Sequence, residues 1–398
     1  MFENISPAPA DTILGLTEAF EKDSNPAKIN LGAGVYQDDE GQTPILKSVK
    51  AAEAIILERA NTKSYLPISG LPDYDHLVQQ LLFGEGNAVI GSGRANTVHT
   101  PGGTGALRVG ADFLKAFLPD AKVWISDPTW PNHRGIFEAA GFAVGEYPYY
   151  DATTKALDFE SLRDRLARIA EGDVVVLHVC CHNPTGFDPT PEQWKEISAI
   201  ARERKWIPFL DFAYQGFGSG LDEDRRAVQH LLDGVTEFLI ANSFSKNFAL
   251  YQDRTGSLTM VGASTNAGDA ALSQIKRIIR VNYSNPPAHG GHIVRTILKD
   301  PALRAEWEGE LKQMRDRVKS MRSALVDGLQ KRDVSQDFSF ISLQNGIFSF
   351  SGLADEQVKF LRVEKSIYMV KGGRINVAGI TTKNIDYLCD SIAEALKQ

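Results

Sequence analysis

Between residues 122 and 263 the chain repeatedly alternates short β-branched or apolar runs with longer amphipathic stretches. That switching of hydrophobic period, from two to about 3.6, confines it to βαβ units around a largely parallel sheet, an α/β fold. Strands are expected at residues 122–126, 142–147, 173–179, 207–210, 237–241 and 257–261, with a helix over residues 161–170. A further helix is expected from Pro191 to Arg204. Thr190 is its N-cap, Pro191 its first residue, and Gln193 completes a capping box. Upstream, Gly102-Gly103-Thr104-Gly105 forms a glycine turn leading into an amphipathic helix. Downstream, Leu303, Trp307, Leu311, Met314, Val318, Met321 and Leu325 space out a long helix that crosses between domains. We therefore expect a large domain at residues 45–310 and a smaller α+β domain built from residues 1–44, with an N-terminal arm, and residues 311–398.

A chain of 398 residues, 43% apolar, can bury a sizeable core, and its net charge of −7 argues against nucleic acid or an anionic membrane as partner. Small-molecule chemistry is the expectation. No apolar run reaches bilayer length, and the opening MFENISPAPAD lacks the features of a signal peptide, so the expected location is the cytoplasm. Three cysteines, two of them adjacent, make no disulfide framework and suit a reducing compartment.

Four polar clusters begin where expected strands end: Asp127-Pro-Thr-Trp130, His182-Asn-Pro-Thr185, Asp211-Phe-Ala-Tyr214 and Ser243-Phe-Ser-Lys246. Ligands of open α/β sheets bind beyond the carboxyl ends of the strands, so the four clusters converge on one pocket if those strands are neighbours. Such a pocket holds a lysine, an aspartate, a tyrosine, an asparagine, a tryptophan and a glycine-rich helix start suited to phosphate. A buried lysine of lowered pKa is the residue that forms Schiff bases, and the set together meets the needs of pyridoxal phosphate. A nucleotide-binding reading of the glycine turn wants a Walker lysine or a full dinucleotide fingerprint, and Thr104-Gly105-Ala106 supplies neither. No metal is expected. His178, Cys180, Cys181 and His182 sit on a strand and its end with alternating faces, and adjacent residues seldom reach one tetrahedral ion.

The motifs Ser243-Phe-Ser-Lys246-Asn with Arg254, Asp211-Phe-Ala-Tyr214-Gln-Gly-Phe, Cys181-His-Asn183-Pro-Thr-Gly, Asp127-Pro-Thr-Trp130-Pro-Asn-His133 and Arg374-Ile-Asn-Val-Ala-Gly resemble the class I, fold-type I aminotransferases, more narrowly the bacterial aspartate and aromatic enzymes. The resemblance runs from Phe2 to the C-terminus. It implies a homodimer using pyridoxal 5′-phosphate to exchange an amino group between L-aspartate and 2-oxoglutarate, giving oxaloacetate and L-glutamate, with an aromatic-amino-acid aminotransferase as the alternative. Lys246 would take the cofactor's aldehyde and then move the substrate proton. Asp211 would hold the ring nitrogen protonated, His133 would support Asp211, Tyr214 and Asn183 would donate to the phenolate oxygen, and Trp130 would stack on the ring. Gly103, Thr104, Ser243, Ser245 and Arg254 would hold the phosphate, joined by Tyr65 of a neighbouring subunit. For the substrate, Arg374 would take the α-carboxylate, Arg280 of the neighbouring subunit the distal one, and Gly34, Trp130 and Asn183 would line the site. Ile13 and Leu14 would contribute an apolar lid. Gln37, Ser64 and Ala33 depart from the close aspartate enzymes at the expected pocket mouth, which leaves the acceptance of aromatic substrates open.

Overall fold

A computed structural model describes residues 2–7 and 12–398, and the side chains of residues 12–14 are outside the described set. The lid expected of Ile13 and Leu14 therefore lies outside it too. The chain forms two units, Pro44–Asp316 and Met1–Thr43 with Arg317–Gln398.

The large unit is organised by one sheet of β1 (Ala95–Pro101), β2 (Lys122–Asp127), β3 (Ala143–Pro148), β4 (Val174–His178), β5 (Ile207–Phe212), β6 (Phe238–Ser243) and β7 (Thr255–Val261). Across the sheet the order is β1-β7-β6-β5-β4-β2-β3. From β3 to β6 every neighbouring pair is parallel. The inner strands are buried over most of their length, as Val-Val-Val-Leu in β4 and Phe-Leu-Ile-Ala in β6 dictate, because helices cover both faces of a parallel sheet. Edge strand β3 is mostly exposed and ends in Pro148, which has no N–H for a further ladder bond. The amphipathic helix α1 (Gly102–Phe117) packs Ala106, Leu107, Val109 and Leu114 into the same core as Val123, Val176, Phe209, Leu239 and Leu258.

All six strands expected from the sequence are present, and the structure corrects two points. Strand β1 was not foreseen because its residues are polar: Thr97, His99 and Thr100 are all buried. Thr97 Oγ1 meets Thr259 Oγ1 at 2.8 Å and accepts from Gln79 Nε2 at 3.2 Å, so pairing replaces apolar alternation. The second correction is direction. Strand β7 runs antiparallel to both β6 and β1, since residues 244–254 contain no crossover helix and a short link can only double back.

Helix α2 (Asn132–Ala139) follows β2, and α3 (Pro191–Arg204) starts with the expected capping box, in which Gln193 N donates to Thr190 Oγ1 at 3.3 Å and Thr190 N to Gln193 Oε1 at 2.8 Å. The helix expected over residues 161–170 is displaced to Phe159–Leu166, because Asp158 caps it by accepting from Ser161 N at 3.0 Å. The division between the two units falls inside the 30-residue helix Pro301–Gln330.

In the smaller unit Ile29–Asn30 pairs in parallel with Ile367–Tyr368, and Phe348–Phe350 pairs antiparallel with Arg374–Asn376. Helices Asp355–Lys365 and Ile385–Ala395 complete it. No helix among the described residues is long and apolar enough to cross a membrane.

Gly256 of β7 shows how tightly the sheet and α1 meet. A Cβ there would stand 2.5 Å from the Gly102 carbonyl carbon and 2.6 Å from Asn242 O, and both are backbone atoms with little room to yield. Gly256→Ala is expected to lower stability by about 3 kcal/mol, an overpacking cost at the upper end of the usual range, read as a fall in the denaturant midpoint.

Candidate active site

The carboxyl ends of β2, β4, β5 and β6 are consecutive and parallel, so the four polar clusters share one edge of the sheet. At the centre is Asp211, near the end of β5 and 8% exposed. Its Oδ2 lies 2.9 Å from His133 Nε2, and His133 Nδ1 lies 2.8 Å from Thr129 Oγ1. His133 belongs to the first turn of α2, so the cluster after β2 reaches over to β5. Burial favours the neutral form of Asp211. The hydrogen bond with His133, with His178 and Lys246 close by, outweighs it and holds the carboxyl below its usual range.

Lys246 is partly buried on the link between β6 and β7, its Nζ 5.2 Å from the centre of the Tyr214 ring. Burial brings its pKa down to about 8; Asp211 opposes that fall and Arg254 adds to it. A lysine in this state is an available nucleophile near neutrality.

Beside it is an anion cradle. The opening N–H groups of α1 have no partner inside the helix, and the N-cap, Pro101, supplies no side chain to cover them. Gly102 takes a φ of +70°, and a Cβ on it would stand 2.6 Å from Arg254 Nη2. A Cβ on Gly103 would stand 3.1 Å from Ser243 Cβ. Arg254 Nη1 donates to Ser245 Oγ at 3.3 Å and to Tyr251 O at 3.2 Å. Gly102, Gly103, Ser243, Ser245 and Arg254 are thus brought together, with Thr104 in the same first turn of α1. Arg254 sits at φ +51°, a left-handed conformation costing a non-glycine residue about 1–2 kcal/mol, as expected where local geometry serves a site.

Trp130 meets His133 edge-on at 5.4 Å between ring centres. Asn183 is buried, and its Oδ1 has no partner among the described residues. The turn before it is fixed by Asp188, which accepts from Cys181 N and His182 N, both at 2.9 Å. The His182 ring lies 2.9 Å from both Ser126 Oγ and Thr185 Oγ1 and stacks on Tyr149 at 3.7 Å.

In the smaller unit, Arg374 Nη2 donates to Gly32 O at 2.8 Å, and its guanidinium lies 4.3 Å from the centre of the Phe348 ring. Gly34 approaches that same ring, and Asn376 Nδ2 donates to Ala33 O and Val35 O, both at 2.7 Å, fixing the backbone on either side of Gly34. Tyr65 and Arg280 are surface residues of the large unit: Tyr65 is 91% exposed, and exposed Arg280 donates Nη1 to Ser284 Oγ at 2.5 Å.

Sequence reasoning missed His178 as part of this cluster. It is opposite Asp211 in the β4–β5 register, its Nε2 3.9 Å from Asp211 Oδ2, and burial, reinforced by His133, pushes its pKa down to about 3. The sign was available only in the register. Ligand atoms of His133, His178 and Asp211 lie within 4.8 Å of one another, a different trio from the His178, Cys180, Cys181 and His182 set weighed in the sequence. His133 and Asp211 spend their facing atoms on each other. All three cysteines are buried, and none forms a disulfide.

A family model described as aminotransferase class I and II matches residues 26–392. The chain belongs to this aminotransferase family. It is 53% identical, over 100% of both chains, to the aspartate aminotransferase of Salmonella typhi, and 41% identical, again over 100% of both, to the tyrosine aminotransferase of Klebsiella pneumoniae. Among solved structures, the aromatic-amino-acid aminotransferase from Burkholderia pseudomallei, covalently bound to pyridoxal phosphate, superposes with a TM-score of 0.98 at 47% identity, covering 100% of this chain and 99% of that one. The fold described above is therefore the fold of this aminotransferase family.

The depressed pKa gives a direct check on the cofactor-free aminotransferase. Acylation of Lys246, followed by peptide mapping, is expected to rise with a midpoint near pH 8, against 10.5 for an ordinary lysine. Asp211→Asn removes the charge that favours the ammonium, so its midpoint should fall below that of the wild type.

Proposed function

We propose that this aminotransferase acts on L-aspartate and 2-oxoglutarate, giving oxaloacetate and L-glutamate in a ping-pong exchange, with pyridoxal 5′-phosphate as its cofactor. One observation carries the reading: a lysine of lowered pKa stands between a buried carboxylate and an anion cradle at the end of a parallel sheet. The residues present fit that cofactor. The space a Cβ would fill at Gly102 faces Arg254, and the helix N-terminus is open for a phosphate. When bound, the cofactor supplies an aldehyde for the amine and a ring that accepts electrons from the substrate α-carbon.

The remaining work belongs to the chain. Lys246 would hold the cofactor's aldehyde carbon, and as a free amine it would take the proton from the substrate α-carbon. Asp211, kept ionised by His133, pairs with a protonated ring nitrogen. Tyr214 and Asn183 donate to the phenolate oxygen, and Trp130 covers one face of the ring. Gly103, Thr104, Ser243, Ser245 and Arg254 take the phosphate, the planar fork of Arg254 giving paired donors. Arg374, held by Gly32 and backed by Phe348, takes the α-carboxylate beside Gly34. We assign Tyr65 and Arg280 to the site of a second copy of the chain, in a homodimer. Their exposure at the surface of a single chain supports that role, with Tyr65 reaching the phosphate and Arg280 the distal carboxylate. A cytoplasmic location accords with the cytoplasmic aspartate aminotransferase among the relatives.

The close structural match to an aromatic enzyme supports a second reading, preference for aromatic amino acids by the same chemistry. Substrate kinetics separate the two. For the loaded enzyme, kcat/KM should be higher with aspartate than with tyrosine, and a large excess for tyrosine selects the second reading. Arg280→Ala should lower kcat/KM for aspartate by about 100-fold, the loss expected of a buried charge partner, while affecting tyrosine far less. The cofactor's visible band should bleach on adding aspartate and return on adding 2-oxoglutarate, and Lys246→Ala should show neither change.

A further inference from the structure

We infer that Asn247 is a positioning residue that sets the amine of Lys246 against the hydroxyl of Tyr214, an assignment that rests on the cofactor reading above. Lys246 and Tyr214 sit on two separate loops, residues 244–254 and 213–220, which follow neighbouring strands β6 and β5. The residues immediately after them are bonded to each other: Asn247 Nδ2 donates to Gln215 O at 3.2 Å, and both residues are fully buried. A planar peptide unit keeps successive Cα atoms at a fixed separation, so this bond ties the backbone carrying one functional side chain to the backbone carrying the other.

Both ends of the bridge are themselves held. Trp307 Nε1 donates to Asn247 O at 2.7 Å, and the Trp307 ring stacks on Phe248 at 4.2 Å. On the other loop, Gln215 Nε2 donates to Leu81 O at 2.9 Å and to Leu221 O at 3.2 Å. Asp224 accepts from Gly216 N, Gly218 N, Ser219 N and Gly220 N at 2.8, 3.0, 2.8 and 3.4 Å, closing that loop around one carboxylate. Arg315 Nη1 donates to Gly216 O at 2.9 Å. Each loop is therefore anchored by its own contacts, and the Asn247 amide bonds one loop directly to the other. Neither Asn247 nor Gln215 touches the nucleophilic amine, so Asn247 acts through the alignment of Lys246 and Tyr214.

The test uses the full chain with and without pyridoxal phosphate, in Asn247→Leu and Asn247→Ala. Trp307→Phe is the control, because it removes a donor to the Asn247 carbonyl and leaves the bridge between the loops. In both Asn247 variants kcat with aspartate should fall about 10- to 100-fold while KM changes by less than about threefold, as expected when reacting groups are misplaced by a fraction of an ångström. Without cofactor, the midpoint for acylation of Lys246 should move upward by about half a pH unit or more, because an amine freed to reach water regains its ordinary basicity. Trp307→Phe should leave that midpoint at its wild-type position. A purely structural role predicts lowered melting temperatures with an unshifted midpoint, and that result in either folded Asn247 variant overturns the inference. An equal shift in Trp307→Phe overturns it as well. Wild-type protein that fails to bind pyridoxal phosphate or to transaminate overturns the cofactor reading and this inference with it, whereas active wild type with unshifted variants overturns the inference alone.

Discussion

An amine kept out of water and opposed by one carboxylate is the constraint on which the large unit depends. Removing Lys246 from solvent disfavours its ammonium form, and Asp211 restores part of that loss. Asp211 faces the same difficulty, since a buried carboxylate is costly without partners. Thr129, His133 and His178 relieve it in turn, the first two forming a line of contacts that runs from the turn after β2 to the end of β5. No member of this chain could be shifted by a residue without stranding a polar group inside the protein.

Topology makes the arrangement possible. Four adjacent parallel strands deliver their polar ends to one edge, a direct consequence of helical crossovers returning each strand in the same sense. The exception is as useful as the rule. Because β7 doubles back, its start lies beside the ends of β6 and β1, which brings Arg254 to Ser245 and the glycine turn of α1. One reversed strand thereby brings together two segments far apart in sequence, the start of α1 and the link from β6 to β7.

Much of this was legible in the sequence, and the limits have physical causes. The β-branched runs of β4 and β6 and the Thr190 capping box are local signals, and each produced the expected element. The convergence of Asp127, Asn183, Asp211 and Lys246 followed from a general property of parallel sheets. Strand β1 was hidden because Thr97, His99 and Thr100 are buried as polar groups, and Thr97 finds its partners on Thr259 and Gln79 elsewhere. The reversal of β7 depended on the missing crossover in residues 244–254. His178 was obscured because strand register decides which residue it faces. Contacts such as Arg374 with Gly32 and Asn247 with Gln215 join residues that no periodicity connects. Arg374 was identified by motif, while Asn247 had no role assigned until its neighbours were seen.

The hairpin made by β6, residues 244–254 and β7 has a further meaning. Ser243 closes one arm, Arg254 is the last residue before the other, and Lys246 lies on the bend between the arms. The spacing of Lys246 from Ser243, Ser245 and Arg254 is thus set within a single closed segment, which in the cofactor reading proposed above would gauge the reach from aldehyde to phosphate. Chains redesigned for longer or shorter analogues must change the number of residues in that bend, because swapping side chains around a gauge of constant length alters grip and leaves reach unchanged.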